Sequence, residues 1–152
     1  MSASLDTSLT AAHAEVKAEI ARTDTKTGLL LAFIGAVLAG VWTVAKDAHP
    51  PIASLVVGGT GVALLVAAAA VLLRAVRPNL GGDRPVGFPR WARLTADEIR
   101  TELGEDKRAQ HIAELSRIAV VKYIHLRRAV DLTCAAGVLL IVAAVIAVGG
   151  AL

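Results

Sequence analysis

Four charged residues lie where polar sequence passes into long apolar runs, and their chemistry would be ion pairing. Asp24 and Lys26 come directly before the first run, and Arg127 and Arg128 come just before the last. A carboxylate next to hydrocarbon is costly, by roughly 2.5–3.5 kcal/mol at the centre of a membrane span and by less at its edge. We predict that Asp24 pairs with Arg127 or Arg128, in the same or a neighbouring subunit. The alternative is ordinary interfacial charge, with the Lys26 side chain extended towards water.

Catalytic and metal-binding patterns are not evident in the sequence. Ser116 and His111 are close in sequence but lack the context of a nucleophile elbow. No Cys/His cluster has zinc-ligand spacing. The single cysteine, Cys134, lies in an apolar stretch, where we expect it to pack as a small residue. We therefore expect a protein that is not an enzyme and that holds no metal or cofactor.

The elements that position these charges are membrane spans. The chain has 152 residues, of which 55% are hydrophobic and 19% are charged, and its mean hydropathy of +0.62 is high. A helix needs about 20 apolar residues to cross about 30 Å of hydrocarbon. Three segments qualify, at residues 27–45, 51–73 and 132–150. The first twenty residues do not resemble a cleavable signal peptide, because no basic region precedes an apolar one.

The basic residues predict the orientation of these spans. Of the sixteen Lys and Arg residues, Lys46 alone lies between the first and second spans. By the positive-inside rule, the N-terminus and residues 77–131 are cytoplasmic, and the C-terminus faces outward. Twelve of the thirteen Asp and Glu residues lie on the same cytoplasmic side. The basic excess is therefore small and dispersed, which argues against a nucleic-acid partner.

Two cytoplasmic segments have helical periodicity and pass without a break into spans. The first, at residues 8–26, has an apolar face formed by Leu9, Ala12, Val16 and Ile20. The second, which follows Gly104, has an apolar face formed by Ile112, Leu115, Ala119, Tyr123, Leu126 and Val130. We call these segments stalks. Each stalk has an apolar face that must be covered, and the simplest partner is the other stalk, in the same chain or in a neighbouring one.

Between the second span and the second stalk, the sequence predicts a loop and a short helix. Residues 77–94 are rich in glycine and proline, which is typical of a loop. Thr95 and Glu98 then form a capping-box pattern, and the helix from Ala96 to about Leu103 should end at Gly104. The predicted fold is a single all-α membrane domain over residues 1–152, with three transmembrane helices, two of them continued as stalks, and one short connecting helix.

Three segments, taken together, resemble a known family. They are ARTDTKTGLLLAF before and into the first span, GFPRWARLTADEIRTEL across the loop and short helix, and HIAELSRIAVVKYIHLRRAV before the last span. Their order and placement around the spans are similar to those of the transmembrane effector domain of the bacterial Pycsar antiphage systems. The resemblance covers about residues 10–150.

The resemblance implies an antiphage defence effector in the bacterial inner membrane. In such systems a cyclase makes cyclic CMP or cyclic UMP during infection. The membrane effector responds, as a homo-oligomer in the lipid bilayer, and impairs membrane integrity, so that the infected cell stops growing or dies by abortive infection. These expectations follow from the resemblance and not from periodicity or charge.

A cyclic mononucleotide would need a cation or backbone N–H groups for its phosphate and an aromatic ring for its base. The candidate nucleotide-binding residues are Trp91, Arg117, Lys122, Tyr123 and Arg128. The alternative reading is a solvated stalk face beside anionic lipid. Two other functions stay open at this point, which are a membrane anchor or scaffold whose stalks bind a protein partner, and a subunit of a small-solute transporter.

Overall fold

The computed structural model describes residues 3–46, 50–77, 88–104 and 106–149. These residues form five helices, which are α1 (Ala3–Ala45), α2 (Ile52–Val76), α3 (Phe88–Trp91), α4 (Ala96–Gly104) and α5 (Arg108–Gly149). No strand occurs in these four ranges. The predicted all-α class is confirmed.

Three of the helices are long and apolar enough to cross a membrane by length and composition, and they are α1, α2 and α5. At 1.5 Å per residue, α1 with 43 residues and α5 with 42 residues are each about 65 Å long. That is about twice the thickness of the hydrocarbon layer. Each therefore contains both a span and a stalk in one uninterrupted helix, as the sequence predicted.

The side-chain contacts define the directions of the three long helices. Arg108 contacts Asp6 and Lys122 contacts Asp24, so α1 and α5 run parallel. In α2, Ser54 lies against Ala143, whereas Gly61, seven residues further along, lies against Ala136. The helix α2 therefore runs antiparallel to α5. The two stalks consequently extend from the same end of the bundle.

The buried positions of the three long helices follow a seven-residue repeat. In α5 they are Ala129, Ala136 and Ala143, and in α2 they are Ser54, Gly61, Leu65, Ala68 and Leu72. In α1 they are Thr23, Thr27 and Ile34. A repeat of 3.5 residues keeps one seam facing the partner only if the helices wind around each other with a left-handed supercoil. Half-buried residues continue this repeat along both stalks, beyond Thr23 in α1 and Ala129 in α5.

This repeat corrects two members of the apolar face predicted for α5. Val130 is 42% exposed, whereas its neighbour Ala129 is completely buried. Tyr123 is exposed, and Lys122 takes the inner position between Ala119 and Leu126. The sequence pattern favoured the larger apolar residues, but a small alanine at the inner position lets α5 approach its neighbours closely.

The spans of α2 and α5 meet through small residues. A Cβ atom added to Gly61 would lie 3.2 Å from the carbonyl oxygen of Ala136 and 3.1 Å from Cγ of Leu140. The Ser54 hydroxyl donates a hydrogen bond of 2.8 Å to the carbonyl oxygen of Ala143. In lipid, packing of this kind and hydrogen bonds between helices take the place of the hydrophobic effect as the source of helix association.

Before α5, the structure contains the predicted short helix, α4, and one further turn of helix, α3, that was not predicted. Thr95 and Glu98 form the predicted capping box, with the Thr95 N–H donating to Glu98 Oε2 at 2.8 Å and the Glu98 N–H donating to Thr95 Oγ1 at 3.4 Å. The helix α4 ends at Gly104, as predicted. The four-residue helix α3 lies within the predicted loop, whose residues 78–87 are outside the described residues. The glycine and proline content of this stretch concealed that helix.

We predict that the stalks are cytoplasmic, because the charge asymmetry is large and the stalks lie at one end of the bundle. In a Cys134→Ala background, cysteine placed at the exposed Lys46 should react with an impermeant thiol reagent in intact cells. Cysteine placed at the exposed Arg93 should react only after the cells are opened. The reverse pattern of labelling would overturn the predicted orientation.

We also predict that Gly61→Leu destabilises the bundle in detergent micelles by about 1–3 kcal/mol, the usual cost of overpacking. The matched control is Gly59→Leu, because nothing lies within 4 Å of a Cβ added there. Both variants gain the same helix propensity over glycine, so the difference between their unfolding free energies isolates the packing effect. Equal unfolding free energies would contradict the close approach of α2 and α5.

Candidate functional site

Polar contacts join the α1 and α5 stalks at three levels. The first level is the foot, by which we mean the first turns of α1 and α5 around Arg108. The second level is a contact between Tyr123 and Glu19, and the third is an ion pair between Lys122 and Asp24 close to the spans. Between these levels, apolar residues of both stalks are half-buried, among them Val16 and Leu115.

At the foot, Arg108 uses all five of its N–H groups. Its Nε and one N–H of Nη2 donate to the two carboxylate oxygens of Asp106, each at 2.9 Å. The second N–H of Nη2 donates to the Asp6 carboxylate. The two N–H groups of Nη1 donate to Thr10 Oγ1 at 2.8 Å and to the carbonyl oxygen of Asp6 at 3.4 Å. One guanidinium therefore fixes the start of α1 to the start of α5.

Hydrogen bonds, burial and nearby charges shift the pKa values of three groups at the foot. Hydrogen bonds from the side chain and then the backbone of Arg108 lower the pKa of Asp106 to about 2. The bonds to Asp106 and then to Asp6 raise the pKa of Arg108 further above its usual range. The pKa of His13 is lowered, first by partial burial and then by the charges of Lys17, His111 and Arg108. The Asp106 carboxylate thus remains charged at neutral pH, and a further positive charge at His13 is disfavoured.

The middle contact joins an aromatic hydroxyl to a carboxylate. The Tyr123 hydroxyl donates to Glu19 Oε1, and Arg22 donates to the other oxygen, Oε2, at 3.2 Å. The hydrogen bond from Tyr123 is the main reason why the pKa of Glu19 is lowered, and the same bond raises the pKa of Tyr123. Beside it, the buried Thr23 hydroxyl donates to the Glu19 carbonyl oxygen at 2.9 Å. Glu19 is therefore held by both stalks.

At the membrane edge, the partner of Asp24 differs from the predicted one. Lys122 Nζ lies 2.6 and 2.8 Å from the two carboxylate oxygens of Asp24. The two predicted partners, Arg127 and Arg128, are exposed on α5, and Lys26 is exposed on α1. Lys122 takes the pair because it lies on the inner face of α5, where its side chain is only 20% exposed and its ammonium group reaches the neighbouring helix.

A cavity of about 350 Å³ lies at the foot, where the ends of α3 and α4 meet the start of α5. Its walls are Trp91, Glu102, Gly104, Asp106, Lys107, Arg108 and His111. An ion pair of 2.8 Å between Arg90 Nε and Glu102 Oε2 holds α3 against α4 beside it. The walls therefore combine an indole ring, two carboxylates and three basic side chains.

The structure does not bring the predicted nucleotide-binding residues together within one chain. Trp91 lines the cavity, but the other lining residues do not include Arg117, Lys122, Tyr123 or Arg128. Lys122 and Tyr123 are engaged by α1, at the ion pair and at the Glu19 contact. Arg117 and Arg128 are exposed along α5.

Sequence reasoning missed the foot. Asp6 and Arg108 are 102 positions apart and meet only because the two stalks run parallel in this register. Asp106 and Arg108 have the spacing of an ordinary helix start, where a carboxylate accepts the backbone N–H two residues later, here at 3.2 Å. The one available signal was the parallel direction of the two predicted stalks, which brings their first turns to the same level.

The chemistry that this arrangement offers to a small ligand is recognition. Within the described ranges, no three His, Cys, Asp or Glu side chains lie close enough to share a metal ion. The cavity offers ring stacking and charged hydrogen-bond partners to a small ligand. Because Arg108 belongs both to the cavity wall and to the contact between the stalks, a ligand there has direct access to that contact.

In comparisons with known proteins, one family model matches the chain. It is described as the Pycsar effector protein domain, and it covers residues 8–149. Nothing matches among curated proteins or among solved structures. The matched region includes the three spans, most of both stalks and all the lining residues of the cavity.

We predict that Asp24 and Lys122 are energetically coupled in this chain. An ion pair that is partly exposed contributes about 0.2–1 kcal/mol, so Asp24→Ala and Lys122→Ala should each speed hydrogen exchange in residues 15–25. A double-mutant cycle should then give a coupling energy in that range.

The matched control for this cycle is Asp24→Ala combined with Arg128→Ala, whose effects should be additive. The charge-swapped chain, Asp24→Lys with Lys122→Asp, should recover part of the lost protection. Additivity for Lys122 together with coupling for Arg128 would show that the pair forms with the arginine instead.

Proposed function

This chain belongs to the Pycsar effector protein domain family, and we propose that it is an antiphage defence effector that converts a nucleotide signal into loss of membrane integrity. The proposed signal is a cyclic pyrimidine mononucleotide, cyclic CMP or cyclic UMP, made by a partner cyclase during infection. The proposed outcome is growth arrest or death of the infected cell. In this proposal the chain carries out no chemical reaction itself.

The observation that carries the proposal is the extent of the family match, 142 of the 152 residues by its bounds 8–149. The match covers the chain as a whole and not only its hydrophobic spans, whose composition many unrelated membrane proteins share. The architecture supports the proposal, because α1 and α5 each connect a stalk to a span without a break. A rearrangement of the stalks would therefore be transmitted to the spans through these continuous helices.

Loss of membrane integrity requires more than one chain in this proposal. The seam between the three spans is closely packed, with Ile34, Leu65 and Leu72 almost completely buried. The outer face of the first span is open, since nothing lies within 4 Å of a Cβ added at Gly28, Gly35 or Gly40. Glycine is costly inside a helix but allows helices to approach closely in lipid. We propose that copies of the chain assemble in the inner membrane, with their N-termini in the cytoplasm.

A second candidate function is a membrane anchor or scaffold whose stalks bind a protein partner. The exposed side of the α5 stalk supports it, since Ile118, Val121 and Ile124 are between 45% and 52% exposed there. A scaffold would act without a nucleotide and without damage to the membrane. The two functions are therefore separable in one assay.

We expect the chain to arrest bacterial growth only when an active pyrimidine nucleotide cyclase is produced beside it. A voltage-sensitive dye should report loss of membrane potential before growth stops, and a cyclase with a disabled active site should give neither effect. Cells that keep growing and keep their membrane potential, with the chain present in the membrane at equal abundance, would contradict the effector function and favour the scaffold.

A further inference from the structure

The cavity at the foot has the size and the wall chemistry of a binding site for one small, flat, anionic ligand. Its volume of about 350 Å³ is at the lower end of the range for small-molecule pockets. Trp91 is half-buried and supplies a ring on which a heterocyclic base can stack. Arg108, Lys107 and His111 supply basic groups, and Glu102 supplies an acceptor for an exocyclic amino group.

A phosphate that binds to Nε or Nη2 of Arg108 must replace a carboxylate, because Asp106 and Asp6 together already accept every N–H group on these two nitrogens. The two carboxylates differ in how easily they leave. Asp106 binds through both oxygens, is two residues away in the chain, and also accepts the Arg108 backbone N–H. Asp6 binds through one oxygen and its side chain is 55% exposed, so water solvates it readily once it is released.

We infer that this cavity binds a mononucleotide with a single phosphodiester charge, with its base stacked on Trp91 and its phosphate replacing the Asp6 carboxylate on Arg108. The identity of the ligand as the cyclic mononucleotide signal rests on the proposed function. The location, the role of Trp91 and the displaced carboxylate rest on the geometry of the foot.

The consequence of this exchange is release of the start of α1 from the start of α5. Arg108 makes three of its five hydrogen bonds to α1, at Asp6 and Thr10. A phosphate that takes the Nη2 position removes the charged bond and leaves the two weaker Nη1 bonds. Separation of the two stalks then begins at the foot and proceeds towards the membrane. The Tyr123–Glu19 contact and the Lys122–Asp24 ion pair oppose it.

The electrostatics of the foot suit an anion. Burial is the largest cause that lowers the pKa of His13, and the charges of Lys17, His111 and Arg108 lower it further, so three basic groups lie near this face of α1. A phosphodiester monoanion carries the opposite charge to these basic groups.

The binding test uses the full chain in lipid nanodiscs with Trp42→Phe, so that Trp91 is its one remaining tryptophan. Titration with cyclic CMP or cyclic UMP should quench Trp91 fluorescence in a saturable way, and inorganic phosphate at the same concentrations should not. Trp91→Ala should weaken binding measured by calorimetry about 5- to 150-fold, the range of base stacking. Trp91→Phe keeps a ring and should bind within a few-fold of the unchanged chain.

The displacement test measures hydrogen exchange in residues 4–13. The nucleotide should speed hydrogen exchange there. Asp6→Asn should speed it even without nucleotide, because an asparagine side chain cannot form the ion pair with Arg108. Asp6→Asn should also bind the nucleotide about 2- to 5-fold more tightly, because a competing charge of this exposure is worth about 1 kcal/mol or less. Weaker binding by Asp6→Asn, or slower exchange at the foot, would overturn the displacement.

Two results separate the site from the function. If the cyclase arrests cells that carry Trp91→Ala as strongly as cells that carry the unchanged chain, the effector function stands and the cavity is not the site. If the nucleotide binds in a Trp91-dependent way but the cells keep growing, the site stands and the effector function fails. Unchanged calorimetric affinity in Trp91→Ala, or no binding by the unchanged chain, overturns the inference directly.

Discussion

The length of two helices is the constraint on which the rest of this structure depends. Both α1 and α5 are about twice as long as the hydrocarbon layer is thick. The stalk of each helix therefore lies in water with an apolar face that must be covered. The nearest available surface for each stalk is the other stalk. The parallel stalks, the shared seam and the meeting of Asp6 with Arg108 all follow from this requirement. Because neither helix is interrupted, stalk and span cannot move independently.

Burial and polar contacts have different roles along the seam. Full burial of a Leu or Ile side chain contributes roughly 1.5–3 kcal/mol, and each of the several half-buried apolar side chains of the stalks contributes part of that. A partly exposed ion pair such as Asp24–Lys122 contributes about 0.2–1 kcal/mol. The apolar face therefore holds the stalks together, and the polar contacts select one register among those that the face allows. Contacts of this small energy are suited to rearrangement by a ligand, since a modest binding free energy exceeds each of them.

The sequence predicted the spans, the two stalks, the capping box at Thr95 and the end of α4 at Gly104. These features depend on local composition and periodicity, which one sequence contains. It did not predict that Lys122 pairs with Asp24, or that Ala129 and not Val130 faces inward. Both depend on the register between helices about one hundred residues apart, which is determined by close packing of small side chains. The cavity was not predicted either, apart from its one aromatic wall residue, Trp91, because its shape depends on how α3 and α4 pack against the start of α5.

In the proposed mechanism, occupancy of the foot is transmitted through α1 and α5 to the lipid bilayer. The most direct test reconstitutes the full chain, with Trp42→Phe, in vesicles loaded with a fluorescent dye, and adds cyclic CMP or cyclic UMP while following Trp91 quenching and dye release together. We expect dye release to begin over the same nucleotide concentrations as the quenching, and both to be lost in Trp91→Ala. Saturated quenching with no release of dye would contradict it.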